Sequence, residues 1–292
     1  MSWSYSNQNA WGGSCNLTGL EAFQQSPIDF NTLGQNGVLP EASIALAVNI
    51  FNVNGNLGQW DANDNNVAFS TQLFMAPLSQ PQFSPPTALG GATNISILGF
   101  HFHCPPEHNL PGYEVSVTGT PDFAVHIKAL ASFNVDGTPQ TQLVVFAIAG
   151  YWQQPLKGWK QLDEFLNNYV APTTGCGGTF NPAALPYLVN LFNAWPFFVY
   201  LGSLTTPPCT GQVLWLVLDY PMPYASTQWT TNSATFAPIQ TALSKLAPAG
   251  QSLFPNNRTL QPILTSTQVF GCAPNQPPVS GSQQKRSPPA MP

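Results

Sequence analysis

Short alternating or continuous apolar stretches recur along the chain, broken about every 8 to 12 residues by glycine, proline or asparagine. This punctuation is typical of strands joined by turns, and it predicts strands at residues 44–51, 96–103, 123–133, 143–149 and 213–218. Apolar residues recur at helical spacing at residues 158–169 and 234–246, which predicts two helices. The pattern therefore predicts a mainly β domain.

The predicted domain occupies residues 1–272, because neither an internal repeat nor an interior linker divides that part of the chain. From Ala273 onward the sequence is rich in proline, serine and glutamine, which predicts a disordered tail at residues 273–292. The 292 residues, 43% of them hydrophobic, are enough for a sizeable core.

Charged residues make up only 7% of the chain, against about 25% in an average soluble domain. The net charge is −5 and no basic cluster occurs, so a nucleic-acid partner is not expected. No apolar run reaches the roughly 18 residues of a transmembrane helix. Residues 1–9 are polar and contain no signal peptide, which indicates either a cytosolic protein or a mature form with an added Met.

The four histidines all lie between positions 101 and 126. In the run Phe100-His101-Phe102-His103, apolar and imidazole side chains alternate, so a strand would place His101 and His103 on one face. His126 lies in a second strand-like run and could supply a third imidazole. Three neutral imidazoles suit a zinc ion with one position open for water, whose pKa the ion lowers. The alternative is that these histidines are ordinary core or surface residues on strands.

Five cysteines contain no C-x-x-C pair, so a cysteine zinc site is not expected. Two disulfides and one remaining thiol form the simplest oxidised state. Five choices of the remaining thiol, times three pairings of the other four, leave 15 arrangements. The cysteines are Cys15, Cys104, Cys176, Cys209 and Cys272.

Several longer motifs occur in a fixed order from about Trp3 to Val269, and together they resemble the alpha-carbonic anhydrase family. They are Trp3-Ser4-Tyr5, Trp11-Gly12, Gln25-Ser26-Pro27-Ile28-Asp29, His101-Phe102-His103, Glu107-His108, the strand of His126, Tyr200 to Cys209, Val213 with Trp215, Asn256-Asn257-Arg258 and Gln261-Pro262.

The resemblance implies a single domain around a central twisted, mostly antiparallel sheet with short peripheral helices. It implies that Zn²⁺ is bound by His101, His103 and His126. The implied reaction is reversible hydration of carbon dioxide to bicarbonate and a proton by a zinc-bound hydroxide, with anions and sulfonamides as inhibitors. The resemblance leaves two alternatives: a non-catalytic zinc-binding or matrix protein on the same fold, and a zinc esterase as a side activity.

The resemblance also implies roles for residues around the metal. Thr205 would accept a hydrogen bond from the hydroxide and donate its own proton to Glu107. Without the resemblance, Glu107 could equally be a solvated carboxylate. The substrate wall would consist of Val145, Leu204, Thr206, Val213 and Trp215, otherwise ordinary core residues. The residues expected to line the cavity are Tyr5, Asn65, Val67 and Lys128.

Four positions depart from the family pattern. Gly99 and Ala124 stand where the family places Gln and Glu as partners of the ligand histidines, which predicts weaker metal binding. Asp122 could replace one of them through water. Val67 stands where fast members carry a proton-shuttling histidine, and Lys128 replaces an aliphatic residue. With His108 expected to be buried and structural, proton export is predicted to depend on buffer.

The resemblance implies a disulfide between Cys15 and Cys209, and it leaves Cys176 and Cys272 as a possible second pair. Cys104 would then remain a thiol pointing away from the zinc, because neighbouring strand residues face opposite ways. Disulfides favour an oxidising compartment, so a secreted or extracellular location is expected.

Overall fold

The computed structural model describes residues 5–16, 24–33, 39–40, 51–53, 60–61, 68–70, 92–111, 123–152, 169–170, 179–180, 191–192, 195–224 and 255–272. Within these ranges the chain is mostly strand, with short 3-10 helices at Tyr5–Ala10, Gly13–Asn16 and Phe30–Thr32. None of the helices in this part of the protein is long and apolar enough to cross a membrane.

Thirteen strands occur in the described ranges. In chain order they are β1 (Leu39–Pro40), β2 (Phe51–Val53), β3 (Trp60–Asp61), β4 (Ala68–Ser70), β5 (Ala92–His103), β6 (Phe123–Val135), β7 (Thr138–Trp152), β8 (Tyr169–Val170), β9 (Thr179–Phe180), β10 (Phe197–Ser203), β11 (Gly211–Leu218), β12 (Met222–Tyr224) and β13 (Val269–Cys272).

Most of these strands form one mixed sheet in the order β1-β13-β10-β11-β7-β6-β5-β4-β3, to which β2 adds beside β5 and β12 beside β7. The run from β3 to β7 is antiparallel, and so is the pairing of β10 with β11 and β13. Parallel pairing joins β11, β12, β1 and β2 to the sheet. The predicted mainly β, mostly antiparallel fold is confirmed.

Side chains along the central strands point alternately to the two faces of the sheet, and both faces are buried. On β5, Phe100 and Phe102 are fully buried on one face, while the histidines between them lie on the other. The second face continues across β7 and β11 as one apolar cluster, to which Val145, Ala147 and Trp215 belong. The strands predicted at residues 96–103, 123–133, 143–149 and 213–218 lie within β5, β6, β7 and β11.

One helix prediction is wrong at its end. Tyr169, the last residue of the helix predicted at residues 158–169, lies in β8 and pairs with Phe180 of β9. Apolar spacing over a short run cannot distinguish the two structures, and pairing with a neighbouring strand overrides it. Residues 158–168, 234–246, 44–50 and 273–292 lie outside the described residues, so the second helix and the tail boundary stay predictions.

The disulfide between Cys15 and Cys209 is confirmed. It fastens the second 3-10 helix to the loop that follows β10, and Tyr5 and Trp11 pack around it in a small core. Cys104 and Cys272 are buried. Cys176 lies outside the described residues, so its pairing with Cys272 stays a prediction.

Candidate metal centre

Strands β5 and β6 bring three imidazoles together in the middle of the sheet. His101 lies directly opposite His126 in the antiparallel register, and side chains opposite each other share a face. His103 lies two residues further along β5, on the same face. One nitrogen from each of the three rings lies within 4.8 Å of the others, and all three residues are buried. This is the donor set of a tetrahedral zinc site with an open position.

Burial keeps these imidazoles neutral, as a metal ligand must be. Desolvation lowers the pKa of His103 to about 4, and it lowers the pKa of His101 and His126 well below the usual value. The positive charge of Lys128 lowers all three pKa values further. Protons therefore do not compete with a cation for these nitrogens at neutral pH.

His103 is oriented by the chain's C-terminal segment. Its Nδ1 lies 2.6 Å from the backbone carbonyl oxygen of Asn256, which accepts, and its Nε2 faces Glu107 Oε2 at 3.4 Å. The Asn256 side chain is itself fixed, because it accepts from the Cys104 amide and donates to the Phe102 carbonyl. The sequence predicts no role for Asn256, although this residue belongs to a motif on which the resemblance rests.

His101 and His126 lack this support within the described part of the chain. His101 Nδ1 and both ring nitrogens of His126 are buried without a hydrogen-bond partner there. Two residues before these histidines stand Gly99 and Ala124, which carry no side-chain acceptor. Neither position therefore supplies an acceptor for the nitrogens of His101 and His126 that face away from the metal position. Asp122 lies outside the described residues.

Glu107 lies beside the three imidazoles and is almost completely buried. Burial raises its pKa to about 8, while hydrogen bonds from the Arg258 amide and the Thr205 side chain oppose the rise. The Arg258 amide donates to Oε1 at 2.8 Å, and Oε2 lies 3.7 Å from His126 Nδ1. A bound cation at the three imidazoles would favour the carboxylate form further.

A chain of polar side chains extends from His108 away from the imidazole group. His108 Nε2 lies 2.7 Å from the Tyr200 hydroxyl, which lies 2.8 Å from Ser26 Oγ. Burial lowers the pKa of His108 to about 3, so the ring is neutral. The charged end of Arg258 closes this region, because it donates to the Gln25 side chain and to the Ser26 carbonyl. Of these residues, the sequence predicts a buried structural role for His108, and the others belong only to its motifs.

The expected substrate wall lies on the same face of the sheet. Val145, Val213 and Trp215 are buried in one apolar cluster, and Leu204 packs against it. The Trp215 indole donates to the Ser203 carbonyl at 2.9 Å, which fixes the ring. Thr206 is half-buried in the loop after β10.

The expected cavity residues are only partly described. Tyr5 is buried with its ring 6.4 Å from that of His103, and burial and the charge of Glu107 raise the pKa of its hydroxyl. Lys128 is half-buried opposite Val145, two residues after His126 on the same strand, and burial lowers its pKa to about 8. Asn65 and Val67 lie outside the described residues.

Fold and site together define a class: a β-sheet protein with a buried metal centre of three histidines. The chain belongs to the eukaryotic-type carbonic anhydrase family, whose model matches residues 6–270. That family is zinc-dependent, and the three-histidine group suits zinc.

Individual relatives are distant. Curated carbonic anhydrases of Pectobacterium atrosepticum and Pectobacterium carotovorum are each 27% identical over 129 residues, 44% of this chain and 46% of theirs. The match thus spans just under half of the length of these curated relatives.

Two solved structures share the fold. A halotolerant carbonic anhydrase from Dunaliella salina superposes with a TM-score of 0.54 at 20% identity, over 92% of this chain and 97% of that one. Carbonic anhydrase Cah3 from Chlamydomonas reinhardtii, in complex with acetazolamide, superposes with a TM-score of 0.52 at 19% identity, over 93% and 99%.

Proposed function

We propose that this protein is a zinc-dependent carbonic anhydrase that reversibly hydrates carbon dioxide to bicarbonate and a proton. The observation that carries the proposal is the group of three neutral imidazoles, with nitrogens within 4.8 Å of one another, beside the Thr205–Glu107 pair. The residues that would hold the zinc ion are His101, His103 and His126. When bound there, zinc supplies a water acidic enough to act as a nucleophile near neutral pH.

Thr205 and Glu107 orient that nucleophile. With a cation held at the three imidazoles, Glu107 would be ionised and would only accept, so the Thr205 hydroxyl would donate its single proton to Glu107. The Thr205 oxygen is then left as an acceptor, and it selects one orientation of the attacking group. The Arg258 amide holds Glu107 in place on the far side. The pair therefore positions the reacting oxygen toward the substrate carbon.

Val145, Val213, Trp215 and Leu204 provide an apolar surface beside this pair. Carbon dioxide has no net dipole, so it is favoured over water at such a surface. Bicarbonate, which is charged, is disfavoured there and leaves. Substrate preference therefore arises from the same packing that stabilises the sheet.

Two further properties follow from the family. Sulfonamides are expected to bind at the open metal position, as the acetazolamide complex of the Chlamydomonas enzyme suggests. The disulfide between Cys15 and Cys209 supports a secreted or extracellular location, because disulfides persist in oxidising compartments.

The test combines metal analysis with stopped-flow carbon dioxide hydration on the purified protein. One zinc per chain and rapid hydration are expected, and His126→Ala should lose both. Asn134→Ala, at an exposed position of the same strand, is the matched control and should lose neither. Bound zinc without hydration would favour a non-catalytic binding protein, and ester cleavage without hydration would favour an esterase.

A further inference from the structure

A small cavity lies behind His126, on the side away from the metal position. It is lined by Pro106, His108, Leu110, Ala124, His126, Ala147, Ala149 and Val217. Apart from the two histidines the side chains around it are apolar. Its volume is about 10 Å³. A cavity needs roughly 10–15 Å³ to hold one water molecule, so there is room for one water and for nothing larger.

Hydrogen-bond directions determine where His108 carries its proton. The Ser203 amide donates to Ser26 Oγ at 3.1 Å, so that oxygen already accepts one bond. Tyr200 Oη lies 2.8 Å from Ser26 Oγ, and the Ser26 hydroxyl has no other acceptor at hydrogen-bond distance among the described residues, so we infer that Ser26 donates to Tyr200. Tyr200 in turn donates its own proton to His108 Nε2 at 2.7 Å. A neutral imidazole has one donor and one acceptor, so the proton of His108 is on Nδ1.

His126 presents a second donor to the same cavity. Its Nδ1 lies 3.7 Å from Glu107 Oε2, the same oxygen that His103 Nε2 faces at 3.4 Å, so this side of the ring faces the other candidate ligands. A metal held there would take the Nδ1 lone pair, and the His126 proton would then be on Nε2. His126 Nε2 and His108 Nδ1 are both buried without an acceptor among the described residues.

We propose that this cavity is a specific binding site for one water molecule, which accepts hydrogen bonds from His126 Nε2–H and His108 Nδ1–H. Leaving two buried N–H groups without an acceptor is costly, and a metal ligand's outer N–H normally has one. Ala124 creates the space, since any larger side chain would fill it. The water connects the metal ligand to His108, Tyr200 and Ser26, which makes His108 a positioning residue for His126.

Two substitutions of Ala124 by side chains of the same shape, valine and threonine, test the water site. The measured quantity is zinc affinity, determined by competition with a chelator. Ala124→Val fills the cavity with carbon and removes the acceptor, so zinc binding should weaken by about 10- to 100-fold. Ala124→Thr fills the same space but returns a hydroxyl oxygen, so most of the wild-type affinity should remain. Equal affinities for the two variants would overturn the proposal.

Nuclear magnetic resonance of the zinc-loaded wild type supplies a test that needs no variant. With only four histidines in the chain, ¹⁵N-histidine labelling resolves each ring. His108 should be protonated at Nδ1 and His126 at Nε2, and both ring protons should contact one long-lived water. A proton on His108 Nε2 or the absence of a bound water would contradict the assignment.

This inference rests on the proposed zinc site, but its failure is distinguishable from failure of the proposed function. The hydration assay reports on the reaction alone. Zinc affinity and ring tautomers can be measured on a protein that binds zinc and hydrates nothing. The tautomer of His108 can also be measured on the zinc-free protein.

Discussion

Two sides of the metal centre differ in how their polar groups are supported. On the loop side, formed by residues 103–108, 203–209 and 256–258, His103 Nδ1 and Glu107 Oε1 each have a partner held by a distant segment. On the strand side, formed by residues 99–101 of β5 and 124–128 of β6, the outer nitrogens of His101 and His126 have none among the described residues.

The strand side also carries an ammonium group. Lys128 lies close enough to lower the pKa of all three candidate ligands. A positive charge works against holding a dication, and so does the lack of an acceptor for His101 Nδ1 among the described residues, whereas the proposed water would supply one for His126. The loop side, by contrast, contains the Thr205–Glu107 pair, which we propose orients the reacting oxygen. The difference indicates that orientation at this centre is strongly supported while metal retention is weakly supported.

The largest expected effect comes from disrupting the loop side at Thr205. Thr205→Ala should lower kcat/KM for carbon dioxide by about 10²–10³-fold, because a positioned hydrogen-bonding group is worth that much in comparable sites. Zinc content should not change, since Thr205 is not among the three candidate ligands. Stopped-flow hydration measures the first quantity and metal analysis the second.

Thr210→Ala is the matched control, because Thr210 is exposed in the same loop. The Thr210→Ala protein should hydrate carbon dioxide at the wild-type rate. Full activity of Thr205→Ala would mean that the loop side does not orient the nucleophile.

The next effect concerns proton export, for which neither side of the centre has an exposed histidine among the described residues. All four histidines are buried, three in the ligand group and His108 behind it. Turnover should therefore lie one to three powers of ten below the roughly 10⁶ s⁻¹ of the fastest enzymes. Imidazole buffer should raise it by about tenfold or more, because an acid–base group with pKa near the working pH is then supplied.

Val67→His should raise turnover without added buffer, on the sequence-based prediction that this position faces the cavity. Val67→Gln, which has similar size and no titration near neutral pH, is the control and should not. Turnover near the fast limit that ignores buffer concentration would reveal another proton carrier.

Much of this centre follows from the sequence, for physical reasons. Alternation of Phe and His at residues 100–103 identifies a strand and its buried face, because side chains on a strand alternate strictly. That His101 lies opposite His126 depends on how strands β5 and β6 are aligned with each other. The alternation of side chains excludes a shift by one residue, which would turn the histidines to the other face, but it does not exclude a shift by two. The role of Asn256 could not be predicted, since the acceptor is its backbone carbonyl and any residue has one.

The third effect is a gain in zinc affinity from a substitution on the strand side. Gly99→Gln should place an amide oxygen on the His101 side of β5, two residues before the ligand, and should tighten zinc binding by about tenfold. Gly99→Met adds a chain of similar length without an acceptor, so it should leave zinc affinity unchanged. Chelator competition measures both, and equal affinities would show that the missing acceptor does not limit metal binding.

The smallest effect is that of the Lys128 charge on stability. The pKa of Lys128 is about 8 in the folded chain, against about 10.4 in the unfolded chain. Below pH 8 the ammonium is charged in both states, and the folded state bears the full cost of burying it. As pH rises from 8 to about 10.4, the folded protein loses this proton before the unfolded chain does, so the cost is relieved and stability rises.

Lys128→Met should therefore raise the free energy of unfolding of the zinc-free protein by about 1 kcal/mol at pH 7, allowing for partial exposure. The advantage should shrink toward pH 10, as urea unfolding at both pH values would measure. Asn134→Met, on the exposed part of the same strand, controls for the added methionine, and a pH-independent gain for Lys128→Met would exclude a buried charge at this position.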